Sequence, residues 1–505
     1  MSERVLLLNL GRFGDLIQTQ GTISGLRGRG GQVGLVCLDC FAEAARLLAG
    51  LDALFPVPGA HILETLDRSW PEALGLVQEL RRAVATFSPQ RVINLTPSIS
   101  ARLLARLLGD ALHEGFLVDA EGFGRTSSLW ADFLQAVSAH RGCSPFNLVD
   151  IQGRMCGALP PLDATLTVPE GEVPRALSGP LVALQLGASH PARRYPVAGF
   201  VEAARQLVHR VGVRPVLVGT AAERPLAEEF AQLADFPFHN LMGQTDLLAL
   251  ARVLRRCQAL LSNDTGTMHL AAGLGVPVVA IFLATAQPWD TGPYAEGCVC
   301  LEPDMDCHPC SFGTHCPRQQ ACHGRIGAAA LGQAVAQWLA SGIWVTPPSL
   351  GARVWGSVRD GAGFMDLASL SGHEGLWRLR WLKTIRPLYR QFLDGEPGLT
   401  PGALLPDPPE PLFHALRQTW GWLHVVHAQA QVLQSGAHAA LARKMIPYAQ
   451  RVEDTLLACP ELAPLGVLWR HTWRQHERLD ALAHWALRLL EMLRALGASV
   501  GMQFE

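Results

Sequence analysis

The chain is predicted to fold as two α/β lobes, each built on a parallel sheet, followed by a mainly helical extension. Three features of its 505 residues carry that expectation. Short apolar runs at 34–38, 91–95, 181–186, 215–218 and 277–282 read as buried strands, and they alternate with helical stretches at 72–86, 198–211 and 246–255. Strands spaced by helices of that length favour parallel layers with crossover helices. The segment LPPLDATLTVPEGEVPRALSGP, 159–180, is rich in Pro and Gly and poor in periodic apolar residues, as a linker between two lobes is. Beyond the pair Pro347-Pro348 a weakly strand-like stretch gives way to a helical pattern over 374–496, broken by a Pro-rich segment at 397–411. The expected division is a first lobe at 1–158, a linker at 159–180, a second lobe at 181–346 and the extension at 347–505.

The first element is an apolar strand, 5–10, that runs into a glycine turn carrying Arg12, Gly14 and Asp15. Asp15 thus stands at the carboxyl end of a strand, the edge outside which ligands bind in open parallel sheets. Its plainer alternative is a helix N-cap. The turn reads Gly-Arg-Phe-Gly and lacks the G-x-G-x-x-G spacing, so the dinucleotide fingerprint is not met.

The second lobe carries LSNDTGTMHLAAGLGVPVVAIF, 261–282, in which an apolar run breaks into Asp-Thr-Gly-Thr, opens a small-residue helix and returns to a strand. A helix starting at Asp264 would have its first amides capped by that carboxylate, and Gly266 would let a ligand approach the main chain. Free amides and the helix dipole favour an anion there. Thr265 and His269 stand four apart on one helix face, so hydroxyl and imidazole are expected to converge on the anion. The segment reads as a diphosphate pocket, with a closely packed, ordinarily capped helix as the alternative.

Composition sets limits. With 49% hydrophobic residues the chain can fill two or three cores, and a net charge of −2 provides no bulk attraction to nucleic acid. No apolar run is long enough to span a bilayer, and the opening MSERVLLLNL is a strand and charged turn without a signal-peptide cleavage region, so the cytoplasm is the expected compartment. Lys383 and Lys444 are the only lysines, which leaves nearly all positive charge on arginine, a side chain suited to bidentate phosphate contacts.

Eight of the 13 tryptophans lie beyond residue 350, and the four-residue spacings of Trp377 with Trp381 and of Trp469 with Trp473 place each pair on one helix face. Core packing is expected of them, with an acceptor- or partner-binding surface as the alternative. His424, His427, His471 and His476 read as capping or surface groups. Cys307, Cys310, Cys316 and Cys322 gather four thiols in sixteen residues, with His308, His315 and His323 interleaved. Such density in a cytosolic chain favours a structural zinc or iron over disulfides, although the spacing departs from a two-knuckle ribbon and leaves packed free thiols open. Cys37, Cys40, Cys143, Cys156, Cys257 and Cys459 read as small buried hydrophobes.

Five segments in order resemble glycosyltransferase family 9, the ADP-heptose:lipopolysaccharide heptosyltransferases. Phe13-Gly14-Asp15-Leu16-Ile17 is similar to the family's LGDxI turn, and Asp264 to Pro277 to its DTGxxHLAxxLGxP segment. Between them, NLTPSISARLLARLLGD (94–110), LQLGASHPARRYP (184–196) and VLVGTAAERPLAEEF (216–230) resemble the family's strand-loop-helix, GAS…KRWP and VLxGGxxE segments. The resemblance covers 4–335 and implies a GT-B fold, two Rossmann-like lobes with the active site in the cleft between them. It implies transfer of a sugar from a nucleotide diphosphosugar, ADP-heptose above all, to a glycan, glycolipid or protein acceptor with inversion at the anomeric carbon. Asp15 is then the general base, and Gly14, Arg193, Asp264, Thr265, Gly266, Thr267 and His269 form the donor site. Protein groups stabilise the leaving diphosphate, so no divalent cation is expected in the chemistry. The acceptor class implies peripheral contact with the inner membrane face, and some family members hold iron in a comparable Cys-rich finger. This sequence departs from the pattern at Arg193 (usually Lys), Tyr195 (usually Trp) and 284–293, where ATAQPWDTGP stands for GPTxPxxxGP. A sugar-nucleotide epimerase or hydrolase on the same fold, and an inactive scaffold, are the rival readings.

Overall fold

The computed structural model describes residues 2–504 other than 110, 141, 174–176, 436–438 and 476–478. The chain divides into two compact units, Met1–Ser128 with Phe146–His373, and Leu129–Pro145 with Glu374–Glu505.

The first unit holds two sheets. One contains β1 (Arg4–Asn9), β2 (Gln32–Leu38), β3 (Ala53–Val57), β4 (Arg91–Asn94), β5 (Leu112–Val118) and β6 (Gly124–Thr126), in the order β3-β2-β1-β4-β5-β6. All its neighbours pair in parallel except β5 and β6. The other contains β7 (Leu181–Gln185), β8 (Arg214–Val218), β9 (His239–Asn240), β10 (Cys257–Asn263), β11 (Val278–Ile281), β12 (Val299–Pro303), β13 (Ala352–Arg359) and β14 (Met365–Ser369), in the order β14-β13-β12-β11-β10-β7-β8-β9. Central strands covered on both faces need unbroken apolar runs. Val5 to Leu8 in β1 and Leu181 to Leu184 in β7 meet this with no exposure at all. The helices expected at 72–86, 198–211 and 246–255 occur as Trp70–Phe87, Val197–Val211 and Leu247–Leu254.

The expected boundary after 346 falls inside the second sheet. Residues 352–369 form a hairpin whose first strand pairs antiparallel with β12, Leu301 opposite Val354. Its strand signal is weak because polar side chains serve the sheet from within: Trp355 Nε1 donates to Glu302 at 2.8 Å and Arg353 Nε to Asp304 at 3.0 Å. The first lobe is also interrupted, since helix Leu129–Ala139 belongs to the second unit, where Trp130 Nε1 donates to Asp394 at 2.8 Å.

Within the first unit the linker touches both lobes: Thr167 N donates to Leu47 O and Leu166 N to Gly273 O, each at 2.8 Å. Helix Leu148–Met155 adds a buried polar tie. Asp150 has no exposure and accepts from Tyr294 Oη at 2.6 Å and from Met365 N at 2.9 Å. A buried carboxylate deprived of a donor loses a bond worth about 1.5–3 kcal/mol. Tyr294→Phe is expected to destabilise the first unit by that amount, read as a lower denaturant midpoint at unchanged m-value, and an unchanged midpoint would contradict the tie.

The second unit is helical: Leu129–Ala139, Trp377–Leu393, Glu410–Ser435, Ala439–Ala458, Ala463–Gln475 and Leu479–Ser499. Its tryptophans are engaged in packing and hydrogen bonds. Trp469 is buried and donates to Ala449 O, Trp473 donates to Glu453, Trp377 stacks on Trp381, and Trp420 stacks on Phe504. Trp422 lies beside Tyr448 with Arg451 over both rings. His424 and His427 bond main-chain carbonyls and His471 pairs with Asp132. His476 lies outside the described residues.

Candidate active site

In each sheet the chain moves outward from a central strand in both directions, from β1 to β2 and β4, and from β7 to β8 and β10. The crevice at the carboxyl ends of such strands is where open α/β sheets take ligands. Asp15 follows β1, Arg193 follows β7, and Asp264 follows β10. All three stand at these switch points.

In the first lobe, buried Asn9 ends β1 and shapes the loop. Its Oδ1 accepts from Gly11 N at 2.9 Å, and its Nδ2 donates to Asp15 O at 3.1 Å and Thr19 Oγ1 at 2.8 Å. Helix Phe13–Gly28 then begins with Asp15 in its first turn, where the carboxylate accepts from Arg12 N at 2.9 Å. Asp15 is therefore both an edge residue and a cap. A Cβ on Gly11 would stand 2.7 Å from Asp15 Oδ2 and 2.8 Å from Asn9 Oδ1, so the carboxylate takes this position only over glycine. Burial is the main influence on Asp15 and raises its pKa, opposed by the amide hydrogen bond and charge of Arg12.

In the second lobe the helix starts later than expected. Thr265 is extended and occupies the cap position of helix Gly266–Gly273, and no side chain caps it. The carboxylate of Asp264 is instead ion-paired to Arg193, with side-chain exposures of 7% and 21%. Arg193 also donates to Ser189 Oγ at 3.2 Å. The uncapped amides at the helix start, beside a guanidinium, retain the anion-favouring character argued above. Thr265 Oγ1 lies 3.3 Å from Ser262 Oγ, and the Thr267 hydroxyl donates to Gln185 Oε1 at 3.2 Å.

The two motifs meet through their glycines. A Cβ on Gly266 would lie 2.6 Å from Phe13 Cδ1 and 3.1 Å from Gly14 N, and one on Gly14 would lie 3.2 Å from Gly266 Cα and from His269 Cδ2. His269 reaches the first lobe: Gln18 Nε2 lies 2.8 Å from its Nδ1 and 2.9 Å from its Nε2, so the ring faces helix Phe13–Gly28. The adjoining cavity, about 10 Å³ and lined by Ile17, Gln18, Val149 and Tyr294 among others, has room for about one water.

Burial lowers the His269 pKa from 6.5 to about 4. Between those values the unfolded chain binds the proton and the folded chain does not, so stability falls as pH drops through that window and is unaffected above it. His269→Gln is expected to remove this part of the acid sensitivity, seen as a flatter melting temperature from pH 6.5 down to about 4. Parallel pH profiles for variant and parent would refute the assignment.

Cys307, Cys310, Cys316 and Cys322, the expected metal ligands, stand within electrostatic reach of one another. Among the described residues no group of three or more His, Cys, Asp or Glu side chains is disposed to hold a metal ion. The proximity of these thiols raises the pKa of Cys310 and Cys322 beyond the effect of burial, and two of the four also meet the main chain nearby. Cys310 Sγ donates to Cys307 O at 3.8 Å, and Cys316 Sγ accepts from Gln320 N at 3.3 Å. Cys37, Cys156, Cys257 and Cys459 are buried as expected of small hydrophobes, whereas Cys40 is exposed and Cys143 half-buried.

Several supporting residues were not foreseen. Asn263 ends β10 as Asn9 ends β1. Its Nδ2 donates to Leu186 O at 2.9 Å and Gly187 O at 3.0 Å, and its Oδ1 accepts from Tyr195 N at 2.8 Å, which pins both ends of the arginine loop. Asparagine directly after an apolar run is a readable signal, because a short amide at a strand end can satisfy loop donors and acceptors. Glu223 caps the turn after β8, accepting from Thr220 N at 2.7 Å and from Gln185 Nε2. A Cβ on Gly187 would fall 1.5 Å from its carboxylate. Gln18 carried no comparable signal.

Residues 160–321 match the model of glycosyltransferase family 9 (heptosyltransferase). Over this stretch, about a third of the chain, the protein is similar to glycosyltransferase family 9. It is similar to lipooligosaccharide heptosyltransferase 2 of Haemophilus influenzae, 31% identical over 144 residues, 27% of this chain and 41% of that protein. It is also similar to lipopolysaccharide heptosyltransferase 1 of Pseudomonas aeruginosa, 33% identical over 124 residues, 25% of this chain and 34% of that one. The matched stretches span less than half the length of either relative. The crystal structure of a family 9 glycosyl transferase from Veillonella parvula superimposes with a TM-score of 0.51 at 18% identity, over 68% of this chain and 97% of that one. The fold is thus GT-B, two Rossmann-like lobes, with a helical C-terminal region.

Proposed function

We propose that the protein is an inverting heptosyltransferase that moves heptose from ADP-heptose onto a lipopolysaccharide core or another surface glycan. The observation that supports this reading is the abutment of the two motifs, Gly14 against Gly266, which sets the first turn of the helix that carries Asp15 beside the uncapped helix start of the other lobe. Displacement at an anomeric carbon needs a base on one side and a stabilised leaving group on the other. Asp15 accepts the proton of the acceptor hydroxyl as the oxygen bonds to the anomeric carbon. The departing ADP is held by Arg193, by the Thr265 hydroxyl and by the amides of Gly266 and Thr267, so the developing negative charge meets fixed donors. Attack from the face opposite the diphosphate inverts the configuration.

Asp264 aims Arg193 and keeps one carboxylate near the donor sugar. Gly14 allows the lobes to approach, and His269 with Gln18 joins them. The relatives named above act on lipopolysaccharide and lipooligosaccharide by name, which supports a glycolipid acceptor of that class. Among the described residues no helix is long and apolar enough to cross a membrane. Work at the cytoplasmic face of the inner membrane, by peripheral contact, fits both points.

The test is release of ADP from ADP-heptose with and without heptose-deficient lipopolysaccharide. Acceptor-dependent release with a β-to-α or α-to-β change at the anomeric carbon supports the proposal. Release at the same rate without acceptor would favour the epimerase or hydrolase reading, and no release with any glycan or protein acceptor would favour the scaffold.

A further inference from the structure

The Cys-rich segment after β12 lies against the loop that carries Arg193. Residues 191–193 form a single tight turn in which Arg193 N donates to His190 O at 2.9 Å and Arg194 N to Pro191 O at 3.0 Å. The carbonyl of Ala192, one peptide before Arg193, is turned out of that pattern. It is met by His323 Nε2 at 2.8 Å, which fixes Nε2 as the protonated ring nitrogen. Three residues on, Ile326 O accepts from Tyr195 Oη at 2.8 Å, so the same segment grips the loop on both sides of Arg193. The segment is itself anchored, since Cys310 N donates to Ala284 O just past β11, also at 2.8 Å. His323 is delivered by the turn Ala321–Gly324, entered through Gln319 and Gln320 with φ of 49° and 59°. Two successive non-glycine residues in the left-handed region are disfavoured, and such backbone persists where the surrounding structure over-determines it.

We infer that His323 is a positioning residue for donor binding: through the Ala192 carbonyl it holds the Arg193 loop at the height where the guanidinium can meet the diphosphate. This rests on the donor-site reading above and assigns the Cys-rich segment a mechanical task that needs no metal. Asn263 anchors the loop from below, and Tyr195 shares the upper attachment.

Two measurements on the full chain test it. Amide exchange of the peptide covering 186–195 reads loop order without reference to function, and calorimetry with ADP-heptose reads donor affinity. His323→Ala is expected to speed exchange in that peptide and weaken donor binding about 2- to 12-fold, the value of one neutral hydrogen bond. His323→Gln, whose amide can donate to the same carbonyl, is expected to restore most of both. Tyr195→Phe should speed exchange independently. Unchanged exchange in His323→Ala overturns the inference, as does an equal deficit in His323→Ala and His323→Gln. Failure of the parent protein to bind ADP-heptose would count against the donor reading, while exchange still decides whether His323 orders the loop.

Discussion

Asp15→Asn is expected to lower turnover by about 10²- to 10⁴-fold, the usual worth of a positioned general base, with ADP-heptose affinity near that of the parent. Asparagine is the informative substitution because its Oδ1 can still accept from Arg12 N, the bond made at 2.9 Å by the carboxylate. The helix start is kept and only proton acceptance is lost. Asp15→Ala removes the cap as well, and a missing cap costs about 0.5–2 kcal/mol of stability. Comparing the two variants separates catalysis from folding.

The pH profile supplies a second check. Burial raises the Asp15 pKa above its ordinary 3.8, and the base works only when deprotonated, so kcat/KM should rise with pH along an acid limb displaced upward from that value. The limb should vanish in Asp15→Asn. A variant that turns over within tenfold of the parent, or one that keeps the acid limb, would remove Asp15 from the mechanism.

The parallel layers were legible because their strands are short, apolar and separated by amphipathic helices; 34–38, 91–95, 181–186 and 277–282 each contain or overlap an observed strand. The hairpin of β13 and β14 was less legible. Its interior holds Arg353 and Trp355, whose polar atoms are satisfied by Asp304 and Glu302, partners some 50 residues away that no local pattern reveals. The site divides in the same way. Position after a strand could be read from the chain, which brought out Asp15 and Asp264, whereas Arg193 was brought out by the resemblance of its segment to the family's. Side-chain direction could not be read: Thr265 and His269 share a helix face by spacing, yet one lies against Ser262 and the other against Gln18 from a distant helix.

Arg193→Ala should produce the largest loss of donor affinity. A charge-assisted hydrogen bond is worth about 1.5–3 kcal/mol, or roughly 10- to 150-fold in Kd. The ion pair with Asp264 adds to this. Asp264 is 7% exposed and loses its paired cation in the variant, which leaves a buried carboxylate facing an incoming diphosphate. The double variant Arg193→Ala, Asp264→Ala removes both charges, so it should bind ADP-heptose better than Arg193→Ala alone. Residues in direct contact are where such non-additivity is expected. Arg193→Lys keeps the charge and gives up the planar fork, and should fall between parent and alanine variant. Calorimetry with ADP-heptose and with ADP measures all four proteins. If arginine serves only to neutralise Asp264, Arg193→Ala will bind the donor as the parent does, and the leaving-group role assigned to it is wrong. If arginine grips the diphosphate, the loss will appear with ADP as well as with ADP-heptose, because both ligands carry the group that it holds.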